Sequence, residues 1–360
     1  MKIGVTGAFG FLGAATVAAF LEEPLSPDQR IIAFGSRSSR SALFDPARVD
    51  FRRIDILDKA SLLREFSGLD MLLHFAGKVG FSAREAESVW RVNVEGARSV
   101  FEAVLEARVP FLVNISSVSA LGPAPDGRLL CEDNRPYDDE GTPWMLASRQ
   151  EAVSAARKSG RDETWNREAF LKSLRCVYLD SKLAALELAR DMRDLQGLPV
   201  VNIMPGTAIG EGEAHEGIGK LLRTMASGRL ALVASGVCPF MDSRDFAKGV
   251  RLAALKAGPG QDYILAGPKE NNLDFTELRK IVAKVTGNPA GFCLAAPRKL
   301  ALAAATIAEL LTPGLGLSRG LVESGSVRVA CDSSKAMREL GYDPGTPLEE
   351  SVRRCLRPGS

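Results

Sequence analysis

The first fifteen residues constrain the fold more than any other stretch. Lys2-Ile3-Gly4-Val5 is a short apolar strand, and Thr6-Gly7-Ala8-Phe9-Gly10-Phe11-Leu12-Gly13-Ala14-Ala15 carries it into an apolar helix. Glycines three apart at such a junction each have a mechanical task. Gly7 permits the tight turn, Gly10 lets backbone approach a pyrophosphate, and Gly13 lets helix and strand pack closely. The helix N-terminus adds N–H donors and the positive end of its dipole. The turn as a whole, Phe9, Phe11 and Leu12 included, is the expected seat of a dinucleotide.

Further strands are expected at Arg30–Phe34, Asp50–Ile54, Asp70–Phe75, Phe111–Ile115 and Val200–Met204, with helical patterns such as Glu85–Glu106 and Lys182–Asp194 between them. This alternation predicts an α/β fold, a Rossmann-type doubly wound parallel sheet, whose ligands bind beyond the carboxyl ends of the strands. Residues 1–205 are expected to form the dinucleotide-binding domain and 206–360 mainly a smaller C-terminal substrate domain, some segments returning to the sheet. Helices are expected at Ile218–Ala226, Asp245–Lys256 and Asp274–Thr286, the last opened by an Asp274/Glu277 capping box, with a late strand at Gln261–Leu265. A second glycine cluster (Gly210, Gly212, Gly217, Gly219) lacks the strand-to-helix setting of the first and reads as a substrate loop.

Lys and Arg total 46 against 44 Asp and Glu, so the net +2 gives no reason to expect a nucleic acid or an acidic membrane as partner. The six cysteines are dispersed without a C-x-x-C pair and read as thiols of a reducing compartment. Neither His74 nor His215 stands in a metal-ligand spacing, so no zinc site and no Ser-His-Asp triad is expected. Met1 runs straight into a strand, leaving no room for a signal peptide, and the longest apolar run, Leu300 to Leu311, is too short to span a bilayer. A cytoplasmic protein is expected. The helix Arg298–Leu311 reads as a core helix, or as one that lines the substrate cleft.

The chemistry points to Tyr178-Leu179-Asp180-Ser181-Lys182. Residues four apart on a helix share a face, so Tyr178 and Lys182 point into one place. A phenol has a pKa of about 10, and a fixed ammonium beside it favours the phenolate and draws that value toward neutrality. Ser117 offers a hydroxyl for the oxygen on which charge changes as hydride moves. After the second strand, Gly35-Ser36-Arg37-Ser38-Ser39-Arg40 lacks the acid that usually meets a ribose 2′-OH. Arg37 and Arg40 suit a 2′-phosphate instead, so NADP(H) is favoured, with NAD(H) as the other possibility.

Together these residues resemble an extended short-chain dehydrogenase/reductase of the NAD-dependent epimerase/dehydratase family. The likeness rests on the glycine turn, Asp55, His74-Phe75-Ala76-Gly77, Asn93, Ser117, Tyr178/Lys182, Pro205, Asp242 to Ala247 and Glu339-Leu340-Gly341-Tyr342-x-Pro344. It implies that Asp55 and Ile56 hold the adenine, and that Ala76, Gly77 and Pro205 wall the coenzyme. It implies further that Ser117 and Tyr178 are catalytic, while Lys182 binds the nicotinamide ribose and tunes the tyrosine. Asn93 matches a water-holding asparagine, or else packs or caps its helix; Ser119 touches substrate or satisfies a turn. His74 and Asp245 read as structural. A small-molecule carbonyl or alcohol substrate is implied, and a homodimer through the helices beginning near Glu85 and Tyr178.

Two departures matter. The stretch Asn202 to Gly210 lacks the Arg-x-x-Asn-x-Tyr-Gly motif of nucleotide-sugar enzymes, and Ser117-Val118-Ser119 carries no acid set of a dehydratase. Both bring the chain nearer to dihydroflavonol reductases, 3β-hydroxysteroid dehydrogenases and hopanoid-associated epimerase-like proteins. The expected activity is NADP(H)-dependent interconversion of a carbonyl and an alcohol. The rivals are an epimerase of a sugar derivative and an NADP(H)-binding regulator without chemistry. The second departure is an insertion at about 123–176, with a helix expected from Trp144 to Lys158, read as a surface elaboration, a lid or a subunit contact.

Overall fold

The computed structural model describes residues 1–36, 44–125, 127–134, 149–162, 164–212, 217–228, 232–288, 294–311 and 318–357. Its strands are β1 (Lys2–Thr6), β2 (Arg30–Gly35), β3 (Val49–Arg53), β4 (Met71–His74), β5 (Leu112–Ile115), β6 (Val200–Pro205), β7 (Thr207–Ile209), β8 (Leu232–Val233), β9 (Val237–Asp242), β10 (Asp262–Leu265), β11 (Asn272–Asp274) and β12 (Leu294–Ala295). Seven of them form one sheet in the order β10-β6-β5-β4-β1-β2-β3. Every pair in it is parallel, in registers such as Gly4 beside Ile32 and Gly4 beside Leu72. Helices cover both faces, which is why β4 is buried at every position and β1 at all but its first.

The chain winds outward from β1 to β3, then returns to start the other half at β4. That reversal opens a crevice beyond the carboxyl ends of β1 and β4, where an open α/β sheet takes its ligand. The late strand β10 joins the main sheet beside β6, as the sequence suggested. A three-stranded sheet of β7, β9 and β11 and a two-stranded one of β8 and β12 complete the strands. The capping box at Asp274 forms: Asp274 accepts the Glu277 N–H, and Glu277 reaches back to the Asp274 N–H at 2.9 Å. Asp245 is structural, its buried carboxylate accepting the Thr346 N–H at 2.9 Å and hydroxyl at 2.8 Å.

The insertion is a packed part of the core. Its helix is described from Arg149 to Lys158; Trp144 lies outside the described residues. Ala152, Val153, Ala155 and Ala156 are buried against the helix Val177–Gln196, and Arg149 and Arg157 pair with its Glu187 and Asp191. On the neighbouring helix Ala97–Glu106, the buried Arg98 donates to the carbonyls of Ala156, Arg157 and Ser159. Trp90 donates to Ser159 at 2.9 Å, and Phe170 packs its ring between Trp90 and Trp165 at 5.0 and 4.9 Å. The insertion thus packs along the tyrosine helix and touches the helix before it at Trp90 and Arg98, the two helices expected to meet a second subunit.

The helix Arg298–Leu311 forms, but it is no core helix. Leu300, Ile307 and Leu311 are 69%, 58% and 75% exposed.

Candidate active site

At the end of β1, Gly7 takes φ +67°, and a Cβ there would stand 2.7 Å from the Ala76 backbone nitrogen. A Cβ on Gly13 would overlap the Gly7 carbonyl, so the helix Phe11–Glu22 can close on the turn only without one. Gly10 is exposed, in an extended conformation at the head of that helix, and no side chain caps the first-turn N–H groups. Open donors, a positive dipole end and a glycine cradle fit a dinucleotide pyrophosphate.

The other coenzyme candidates lie around this cradle with unequal claims. Phe9 turns its ring into the core, 5.3 Å from Phe51 and 5.8 Å from Phe44. A Cβ on Gly35 would press against the Phe9 ring, which accounts for glycine at the end of β2. Any contact of Phe9 with a coenzyme is therefore through its backbone. Phe11 and Leu12 are half-buried in the first helical turn, Phe11 close to Gly210. Asp55 is exposed beyond β3 and accepts the Leu57 N–H at 3.0 Å, while Ile56 fills the space left by Gly96. Ala76 and Gly77 leave β4 directly over the glycine turn, and Pro205 is the buried last residue of β6. Arg37 and Arg40 lie outside the described residues.

Beyond β5 the chain turns at Ser116-Ser117, and Ser117 caps a short helical turn, Val118–Leu121. The Ser117 Oγ accepts the Ser119 N–H at 3.1 Å, which leaves its own proton free to be donated. Ser119 is half-buried beside it. The Ser117 hydroxyl stands near enough to the Tyr178 phenol to favour its charged form, so residues sixty apart in sequence meet at one point. Tyr178 enters in the first turn of Val177–Gln196, with Phe81 against its ring, edge-on, at 5.3 Å. One turn on, Lys182 directs its ammonium to Gly77, where a Cβ would stand 3.5 Å from Nζ.

Asn93 holds these parts together. It sits in a π-helical stretch, Arg91–Gly96, of the kind often found at functional sites. Its Oδ1 accepts the Lys78 N–H at 2.7 Å, and its Nδ2 donates to the Lys78 carbonyl at 2.9 Å and the Ser181 hydroxyl at 3.0 Å. Of the two readings open in the sequence, the packing role is the one visible: the side chain ties the loop after β4 to the tyrosine helix.

The electrostatics differ from the expectation for Tyr178. Burial pushes its phenol above the ordinary value of 10.0, the Ser117 hydrogen bond opposes this, and Lys182 is not among the groups that set it. Desolvation outweighs the hydrogen bond, so the phenol is protonated at neutral pH. Burial lowers the Lys182 ammonium to about 8. His74 hydrogen-bonds Thr6 through Nδ1 at 2.7 Å, and burial followed by the charge of Lys182 lowers it to about 3. It is therefore a neutral strand-end residue and no acid-base candidate. Phe81 was missed by sequence reasoning, since a single aromatic just after the Gly77 to Gly80 loop carries no periodicity that would mark it.

The sequence profile of the NAD dependent epimerase/dehydratase family matches residues 3–160 and 147–266. The chain belongs to that family. It is accordingly an NAD(P)-dependent enzyme of oxidoreductase type, an extended member with a Rossmann-type sheet. Among curated proteins, it is 25% identical over 350 residues to "Sterol demethylase protein B" of Methylococcus capsulatus, covering 94% of this chain and 93% of that protein. It is 26% identical over 362 residues to the "Putative dihydroflavonol 4-reductase" of a Synechocystis species, covering 98% and 91%. Among solved structures, that of gox2253 superposes with a TM-score of 0.76 at 23% identity over 99% of this chain and 96% of that one. This last likeness bears on the fold of the family member alone.

Proposed function

We propose that this chain is an NADP(H)-dependent oxidoreductase that interconverts a ketone or aldehyde with its alcohol. The observation that carries the reading is the meeting of Ser117 with a phenol held in its neutral form, one helical turn from Lys182. The nicotinamide coenzyme, when bound, supplies or accepts the hydride. The residues of the chain handle the oxygen. Ser117 donates its hydroxyl proton to the substrate oxygen, and Tyr178 delivers the proton that turns a forming alkoxide into an alcohol. Lys182, beside Gly77 and one helical turn from the tyrosine, would hold a ribose hydroxyl, and it keeps a positive charge near the phenol when protonated. The wall offered to the substrate is apolar, with Phe81 against Tyr178 and Val79 59% exposed two residues before it.

NADP(H) is preferred in this reading because β2 ends in Gly35, followed by Ser36 and no acid, ahead of Arg37 and Arg40. A sterol demethylase component and a reductase by name among the full-length relatives support carbonyl chemistry on an apolar substrate. The missing Arg-x-x-Asn-x-Tyr-Gly stretch argues against a nucleotide sugar.

The test is a titration of the purified chain with NADPH and NADH, followed by coenzyme oxidation on a panel of ketones and aldehydes. NADPH preference lost in Arg37→Ala, and turnover lowered by about 10²–10⁴-fold in Tyr178→Phe with coenzyme affinity retained, are the expected results. Full activity of Tyr178→Phe removes the proposal. Turnover of a sugar derivative without net coenzyme consumption makes the chain an epimerase instead.

A further inference from the structure

We propose that the helix Arg298–Leu311, with the exposed leucines of β8 and β12, is a docking face for an anionic lipid surface. Ten large apolar residues are exposed among the described residues, and five of them lie here: Leu232, Leu294, Leu300, Ile307 and Leu311. On the helix they follow its period. Leu300, Ala303, Ala304, Ile307 and Leu311 are all exposed at offsets of 0, 3, 4, 7 and 11 and so form one stripe along about 17 Å. Parallel pairing of β8 with β12 sets Leu232 beside Leu294 just ahead of this helix. The polar groups of the helix are turned away or silenced. Thr306 donates its hydroxyl to the Leu302 carbonyl at 2.8 Å. Glu309, its one acid, accepts the N–H groups of Ala83 at 2.9 Å and Arg319 at 3.1 Å and so faces the protein.

Charge identifies the occupant. Arg298 and Lys299 open the helix with no acid in its first turn, which sets two cations against the positive end of the dipole. Arg298 is answered by the buried Glu323 at 2.5 Å; Lys299 is exposed. Arg84 and Arg319 are exposed on the two segments that Glu309 binds at the far end. Cations at both ends of an apolar stripe without an outward acid match a helix lying in the headgroup plane of an anionic bilayer. A second protein chain would need complementary acids and shape; a bilayer needs only apolar depth and fixed positive charge. The net charge of +2 conceals this local distribution. Among the described residues no helix is long and apolar enough to cross a membrane, so the mode inferred is lateral docking. The Ala83 loop held by Glu309 lies two residues beyond Phe81, so the docking face and the wall of the candidate active site share a loop.

The inference does not depend on the reaction proposed above. It is tested by flotation of the full chain with vesicles of phosphatidylcholine alone or mixed with phosphatidylglycerol. Binding to the mixed vesicles, weak binding to phosphatidylcholine and release by high salt are expected. Leu300→Glu combined with Ile307→Glu should abolish flotation while coenzyme binding, read by nicotinamide fluorescence, is unchanged. Lys299→Ala should weaken binding by about fivefold. No flotation of the unmodified chain, or flotation untouched by the double substitution, overturns the inference. So does concentration-dependent self-association that the double substitution removes, since a second copy would then own the face.

Discussion

Asn93 donates from Nδ2 to the Ser181 hydroxyl at 3.0 Å, and Ser181 stands on the tyrosine helix between Tyr178 and Lys182. The same amide clamps Lys78 through its N–H and carbonyl, next to Gly77. One buried side chain thus ties the loop at Gly77 to the helix of Tyr178, the proposed coenzyme wall and the proposed acid. Asn93→Ala should lower kcat about tenfold or more, because small displacements of reacting groups are costly. It should also cost about 1–3 kcal/mol of stability through unpaired buried groups. Steady-state kinetics and urea melts check this; a loss of stability with kcat unchanged would make Asn93 a purely structural brace.

Lys182 carries a cost that the fold bears for its site. Its value is about 8 in the fold against an ordinary 10.5. Below pH 8 the lysine is protonated in both states, and the folded chain holds a desolvated ammonium. Between 8 and 10.5 the unfolded chain binds more protons, so this penalty is relieved as pH rises. Lys182→Met should therefore raise the Tm of the coenzyme-free chain at pH 7, by an amount that shrinks toward pH 10, and should abolish turnover. Thermal melts at the two pH values decide it: a gain in Tm that is the same at both removes the electrostatic account.

How far these features could be read beforehand depends on how local their cause is. The glycine turn, the Asp274 box and the Tyr178–Lys182 pair are set by neighbours within one turn of chain, and their spacing alone exposes them. The late strand was legible because the apolar run Tyr263-Ile264-Leu265 sits between glycine- and proline-rich turns. Three-dimensional causes were not. Phe81 reaches Tyr178 across ninety-seven positions, and the Thr6–His74 pair joins two strands that only the sheet brings together. The sign of the Tyr178 shift depends on burial, which no residue spacing reports. The outward face of Arg298–Leu311 was misread for a related reason: an apolar, alanine-rich run looks alike whether its partner is protein or not.

His74 gives the fold an acid sensitivity of predictable sign. It is lowered to about 3 from an ordinary 6.5, first by burial and then by Lys182. Above pH 6.5 it is neutral in both states and costs nothing. As pH falls from 6.5 toward 3 the unfolded chain takes up a proton that the fold refuses, and stability drops by at most roughly 1.4 kcal/mol per pH unit. His74→Asn should flatten the decline in urea midpoint between pH 6.5 and 4.5 relative to the unmodified chain. Parallel declines in the two proteins would show that other groups govern it.

The insertion should behave as part of the core and as a substitute for a subunit. Arg98 is 7% exposed and donates one guanidinium nitrogen to the carbonyls of Ala156, Arg157 and Ser159, while Ser159 in turn donates to Glu95 at 2.5 Å. Removing such a donor leaves several buried acceptors unpaired, each costing about 1–3 kcal/mol. Arg98→Met keeps the aliphatic stem and should lower stability by about 3 kcal/mol, with an earlier loss of the insertion than of the sheet in hydrogen exchange. Because Ala152, Val153, Ala155 and Ala156 already fill the outer face of the tyrosine helix, the intact chain should show no dimer through that face in light scattering. Exposure of that helix in Arg98→Met should instead bring concentration-dependent self-association. A stable dimer of the unmodified chain, cross-linked through Asp191 or Asp194 of the tyrosine helix, would overturn this account of what the extra residues are for.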